Sequence, residues 1–329
     1  MIHYYELNKS GHLCLFENEQ AALAALDKVV WIDMLGPTDA EEEHLEATLG
    51  LDIPTREDME EIEASSRLYQ ENGATFMTAS VLSHSSARPD VPEMQAVTFV
   101  LAAHRLLTVR YHEPRPFQTF VDRAERADID GTNGEAVAVS LVEAIVDRLA
   151  DILEGAARTL DDIAKSIFVP GGRKPGQGSD LARVLERIGL AEDANAKIRA
   201  SLASFDRLAS FLMQMSETGK SVRNRRERLK TLSRDLRSLS DYATGQSQKI
   251  TFLLDATLGM INIEQNAIIK IFSVVAVVFL PPTLIASIYG MNFHLMPELS
   301  WPFGYPFALG LMILSAILPY LFFKRRGWL

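Results

Sequence analysis

The chain is poor in cysteine, lacks proline over a long central stretch, and lacks charge in two C-terminal runs. Cys14 is the only cysteine in 329 residues, which excludes an intrachain disulfide and a cysteine-rich zinc site. There is no phosphate-binding loop, no His-Glu-x-x-His pair and no nucleophile elbow. The usual signatures of ATP-driven pumping, zinc peptidases and serine hydrolases are therefore missing, and an enzyme is not expected. The N-terminus, Met1-Ile2-His3-Tyr4-Tyr5-Glu6, has no basic stretch followed by an apolar one and does not read as a signal peptide. No proline occurs between Pro175 and Pro281, so very long helices are allowed there.

Charge is absent from Ile271–Ile288, 18 residues, and from Phe303–Phe323, 21 residues. A helix needs about 20 apolar residues to cross a bilayer core of about 30 Å, so both runs are predicted to span a membrane. Residues 267–329 carry a net +3, whereas the whole chain carries −10 and residues 1–266 therefore −13. So acidic a region is a poor partner for nucleic acid; it suits cations, or simply solubility. The segment between the runs has no Lys or Arg, while Lys270 precedes the first and Lys324-Arg325-Arg326 follow the second. The positive-inside rule then puts both termini in the cytoplasm.

Residues 1–130 read as an α/β domain. Val29 to Asp33 is a buried strand, and Thr38 with Glu41 forms a capping-box signature for a helix reaching Leu49. Asn72-Gly73 is a hairpin signal between Arg67–Gln70 and Thr75–Leu82, and Gln95–Ala102 pairs with Arg105–Tyr111. This makes four or five strands, in an order that the pattern does not give. Residues 131–218 read as a helical hairpin, with one helix from Gly134 to about Phe168 and a second from near Ser179 or Asp180. Gly219 marks a turn. A stalk helix (219–267) then runs into the first span (268–289), a loop (290–302), the second span (303–323) and a basic tail (324–329). A single helix over Arg225–Ile288 would be on the order of 95 Å long. No small domain can cover it all, so it is expected to pack against other copies of the chain.

On that helix, at about 100° per residue, Asp255, Asn262, Asn266, Ser273, Thr283 and Ser287 share an arc of about 100°. Polar groups facing lipid need partners. The stripe suits a water-filled axis shared by several copies, with the first span inside and the second outside. Small polar residues also mediate helix packing without a pore. Pro281-Pro282 should loosen the helix locally and free backbone carbonyls. In the loop, Gly290 permits a turn where a side chain would obstruct. Asn292 offers a neutral oxygen to a hard cation, and Glu298 would give an oligomer a negative ring at the outer mouth.

These residues carry a resemblance. Tyr289-Gly290-Met291-Asn292, Met296-Pro297-Glu298-Leu299, Phe279-Leu280-Pro281-Pro282-Thr283-Leu284-Ile285-Ala286-Ser287 and the terminal Lys324-Arg325-Arg326-Gly327-Trp328-Leu329 resemble the CorA family of magnesium transporters. Ile261-Asn262-Ile263-Glu264-Gln265-Asn266 and Thr108-Val109-Arg110-Tyr111 resemble its bacterial members. The resemblance implies a homopentameric inner-membrane channel that takes up Mg2+ along the membrane potential without ATP. It also implies gating by cytoplasmic Mg2+ and passage of Co2+ and Ni2+. It assigns ion selectivity to Gly290, Met291 and Asn292, pore lining to Thr283 and Ser287, and an apolar constriction to Leu280. By the resemblance, Asp255 matches a stalk position where, in some members, regulatory Mg2+ bridges neighbouring subunits and holds the channel closed. Its partner carboxylate is open among Asp90, Glu93 and the run Asp58, Glu60, Glu61 and Glu63. His294 stands where close members usually carry Glu, which removes one acidic ring. The alternatives are a zinc transporter of the same superfamily and a membrane-anchored sensor or scaffold that conducts nothing.

Overall fold

The computed structural model describes residues 1–61, 63–84, 92–127, 129, 132–168, 178–215, 220–292 and 296–328. By its contacts the chain forms two units, Met1–Leu253 and Leu254–Leu329.

The first unit is built on a seven-stranded mixed sheet: β1 (Ile2–Leu7), β2 (Leu13–Leu15), β3 (Val29–Leu35), β4 (Leu68–Glu71), β5 (Ala74–His84), β6 (Pro92–Ala102) and β7 (Arg105–Arg110), in the order β2-β1-β3-β7-β6-β5-β4. Only β3 and β7 run parallel, with Asp33 opposite Thr108 and Leu35 opposite Arg110. Successive side chains of a strand point to opposite faces, and each face has its own core. Trp31, Met77, Phe99 and Leu106 lie on one face, and Ile32, Met34, Phe76, Val100 and Val109 on the other. The second face is covered by α1 (Glu19–Ala24), α2 (Asp39–Leu49) and α3 (Arg56–Glu60) through Ala22, Leu45 and Met59. The short α4 (Ala64–Arg67) leads into β4. The first face is covered by α5 (Arg115–Ala124), α6 (Gly134–Phe168) and α7 (Gly178–Met215) through Phe117, Phe120, Leu141, Leu202 and Phe205. The result is a helix–sheet–helix sandwich.

Local chemistry explains several boundaries. The Thr38–Glu41 capping box is present, and α2 ends at Gly50 with φ 67°. Asn72 and Gly73 have φ of 48° and 79°, as a two-residue hairpin with both central residues left-handed requires. Gly134 opens α6 against the backbone of β7. A Cβ there would lie 2.1 Å from the Leu106 amide nitrogen, so no side chain fits.

α8 (Lys220–Tyr289) has 70 residues and runs through both prolines. Its first part belongs to the sandwich unit, where Leu229, Leu232, Leu236 and Ala243 are buried in the same core as α6 and α7. There the chain itself supplies the cover expected from other copies. The second unit holds the rest of α8, a short 3-10 turn (Pro297–Ser300) and α9 (Gly304–Arg325). Both α8 and α9 are long and apolar enough to cross a membrane, and only 6% of each apolar segment is buried. Core helices of a water-soluble protein would be mostly buried, so these two carry a surface suited to lipid and to other helices.

The strand count exceeds the four or five expected. β1 breaks its register at Tyr5/Glu6, and β2 has three residues, so neither carries a clean alternation. Gly219 lies outside the described residues.

Candidate functional site

Within the second unit the faces of α8 are unequal. Val274 is buried, and Val278, Pro281, Pro282, Ile285 and Tyr289 are half-buried. Ala308 is buried on α9, with Met312, Ser315, Ala316 and Pro319 half-buried on the same face. These rows at three- and four-residue spacing mark the seam between the two helices. At about 100° per residue from Asp255, the seam on α8 centres near about 130° and the polar stripe near about 340°, about 150° away. Asp255, Asn262, Asn266, Ser273, Thr283 and Ser287 are all exposed. Leu280, 64% exposed, falls on the centre of the same arc. The stripe thus occupies the face that α9 leaves uncovered.

Pro281 and Pro282 have no N–H, so the carbonyls of Val277 and Val278 lose their helical donors. Directly after the prolines, the Thr283 hydroxyl donates to the carbonyls of Phe279 at 3.0 Å and Leu280 at 2.9 Å. At the end of α8, Gly290 N–H donates to Ala286 O at 2.9 Å and Met291 N–H to Ile288 O at 3.2 Å. A Cβ on Gly290 would lie 3.1 Å from Ala286 O, pressing on the last carbonyls of the helix. Met291 and Asn292 follow directly, both exposed. A helix C-terminus carries about half a negative charge, so Gly290, Met291 and Asn292 sit where a cation is favoured. The amide carbonyl of Asn292 adds a neutral hard donor of the type that suits Mg2+.

Other expected residues are less gathered. Asp255 is exposed on α8 and Glu93 is exposed on β6, opposite Ser83. Asp90 and His294 lie outside the described residues, as does the side chain of Glu298. Asp58 is spent on a capping box with Thr55, accepting from its N–H at 2.9 Å and its hydroxyl at 2.7 Å. Glu60 pairs with Arg56 at 3.4 Å. Among the described residues no three His, Cys, Asp or Glu side chains group as a metal site.

The structure also shows a polar network that the sequence pattern did not reveal. Arg110 Nη2 meets Asp33 Oδ2 at 2.7 Å and its Nε meets Oδ1 at 3.0 Å. Thr108 donates to Asp33 Oδ1 at 2.7 Å and accepts from Trp31 Nε1 at 3.0 Å. The parallel β3–β7 register creates it, bringing together residues more than 70 positions apart in the chain. Two arginines near the start of α8 are likewise held inside the chain. Arg225 pairs with Glu135 at 2.9 Å, and Arg228 grips Glu143 through two nitrogens and reaches Ser140 at 2.8 Å.

Residues 27–325 match the model of a family described as CorA-like Mg2+ transporter protein. The magnesium transport protein CorA of Salmonella typhimurium (strain LT2) is 37% identical over 331 residues, covering both chains completely. That of Pasteurella multocida (strain Pm70) is 35% identical over 329 residues, again covering both completely. The complete structure of the CorA magnesium transporter from Methanocaldococcus jannaschii has the same fold, with a TM-score of 0.78 at 18% identity over 100% of this chain and 99% of that one. With a polar stripe that ends at Gly290-Met291-Asn292 and a family match covering nearly its whole length, the chain belongs to the CorA family of Mg2+ transporter proteins.

Proposed function

We propose that this chain forms a homopentameric channel of the bacterial inner membrane that takes up Mg2+ down the membrane potential. The observation that carries this reading is the exposed polar face of α8, opposite its seam with α9 and leading to Asn292. Two spans cannot enclose a path for ions. Several copies that turn this face inward can, with α9 toward lipid. In that arrangement Thr283 and Ser287 line the path and Leu280 narrows it. The Asn292 carbonyls, beside the α8 C-termini, hold a hydrated ion through its water shell. Glu298 adds negative charge at the outer mouth. Co2+ and Ni2+, similar in size when hydrated, pass by the same route. Both termini face the cytoplasm, because Lys270 and Lys324-Arg325-Arg326 flank the spans.

Cytoplasmic Mg2+ closes the path. Asp255, exposed on α8, faces a carboxylate of a neighbouring copy, with Asp90 or Glu93 as its partner. The bound ion neutralises their repulsion and favours the closed arrangement, which requires tighter binding to that state. The test is uptake into proteoliposomes under an inside-negative potential, with and without internal Mg2+. Uptake should rise with potential, and internal Mg2+ should suppress it less in Asp255→Ala than in the wild type. Uptake that is indifferent to potential, or equal suppression in both proteins, contradicts the reading.

A further inference from the structure

A cleft of about 750 Å³ opens in the sandwich unit, between the end of β5, the start of α5 and one side of the α6–α7 pair. Three arginines from three elements line it: Arg115 of α5, Arg148 of α6 and Arg187 of α7. Its wall is apolar, with Leu82, Ile152 and Leu190 among the contributors. Glu113 and Asp151 stand in the same lining, so the cleft is net positive by one charge. It does so in a region, residues 1–266, that carries −13. Asp151 is held by Arg148 at 3.8 Å. The side chains of Arg115 and Arg187 have no ion-pair or hydrogen-bond partner among the described residues, although Arg187 is half-buried. Both guanidinium groups are therefore open to an incoming anion, with no carboxylate of the described residues to displace. α5 also begins at the cleft without a side-chain cap, which adds to the positive potential there.

We propose that this cleft binds an organic phosphate of nucleotide size. The volume lies within the usual range of about 300–1,000 Å³ for small-molecule sites. A guanidinium fork matches phosphate oxygens in pairs. The apolar wall receives a flat base that a bare phosphate lacks. Arg115 and Arg187 take the phosphates, while Arg148 stays with Asp151. The ligand then lies one helix away from α8, which α6 holds through Glu135, Glu143 and Asp161.

The test is calorimetric titration of the full-length chain in lipid nanodiscs, at constant free Mg2+, with ATP, AMP, tripolyphosphate and inorganic phosphate. Nucleotide should bind saturably, one per chain. Arg115→Glu and Arg187→Glu should each weaken it by about tenfold or more. Ala191→Trp, which fills the apolar wall and leaves the charges in place, should abolish nucleotide binding while the melting temperature stays close to that of the wild type. An absence of nucleotide binding up to millimolar concentration would overturn the proposal. So would binding unchanged in the charge-reversed variants, or tripolyphosphate and inorganic phosphate binding as well as the nucleotides. Asn292 is untouched by these variants, so Mg2+ uptake reports on the channel reading separately.

Discussion

The Thr283 hydroxyl shares its proton between the carbonyl oxygens of Phe279 and Leu280, at 3.0 and 2.9 Å. With its hydrogen committed to the backbone, the oxygen has only lone pairs left for what lies beside the helix. An exposed threonine on the uncovered face of α8 therefore presents an acceptor, which suits a hydrated cation. Thr283→Val keeps the shape and removes that oxygen. It should lower Mg2+ flux several-fold with little change in melting temperature, while Thr283→Ser should retain most of the flux. Equal flux in all three proteins would show that the oxygen is idle.

The Asp33–Arg110 pair sets a stability test. Both side chains are buried, and the carboxylate accepts from Arg110 and Thr108. Removing one member strands the other. Arg110→Met should cost about 3–5 kcal/mol, read as a lowered melting temperature of the full chain. Asp33→Leu with Arg110→Met should recover most of the loss, because no buried charge is left alone. A double variant as unstable as the sum of the two single ones would contradict this account.

His112 predicts a pH dependence. Burial, with the neighbouring Arg110 charge, pushes its imidazole down to about 4. In the unfolded chain it titrates near about 6.5. Between those values the unfolded state takes up a proton and the folded state does not. Stability is therefore lost as pH falls from about 6.5 toward about 4. The melting temperature of His112→Phe should fall less over this window than that of the wild type. Parallel curves for the two proteins would rule out His112 as a source.

Gly134 tests the junction of α6 with the sheet. A methyl group there would lie 2.1 Å from Leu106 N and 2.2 Å from the Arg105 carbonyl carbon, both backbone atoms. Neither can swing aside as a flexible side chain could. Gly134→Ala should destabilise by about 1–3 kcal/mol or more, whereas Gly155→Ala, with open space at its Cβ position, should stabilise slightly, since Gly is the poorer helix former. A neutral Gly134→Ala would mean that the α6 start can shift.

Local signals were legible in the sequence and long-range ones were not. Thr38 with Glu41 and Asn72-Gly73 act within four residues, and the structure has the capping box and the hairpin they predict. The first long helix covers Gly134–Phe168, the stretch that local periodicity marks. The parallel pairing of β3 with β7, and with it the Asp33–Arg110 bond, depends on tertiary assembly that no short window contains. Of the candidate site, Gly290, Met291 and Asn292 announce themselves by motif. The stripe follows from helical spacing, but only the structure shows that the α9 seam lies on the other side of α8. The Thr55–Asp58 spacing also fits a capping box, and the structure has that box at the start of α3.

The most direct measurement is Mg2+ uptake into proteoliposomes holding the purified chain, read with an internal indicator, for the wild type beside Asn292→Ala. The account predicts saturable uptake by the wild type and its loss in a variant that assembles and melts like the wild type. Unchanged uptake by Asn292→Ala, or no uptake from a well-folded wild-type oligomer, would contradict it.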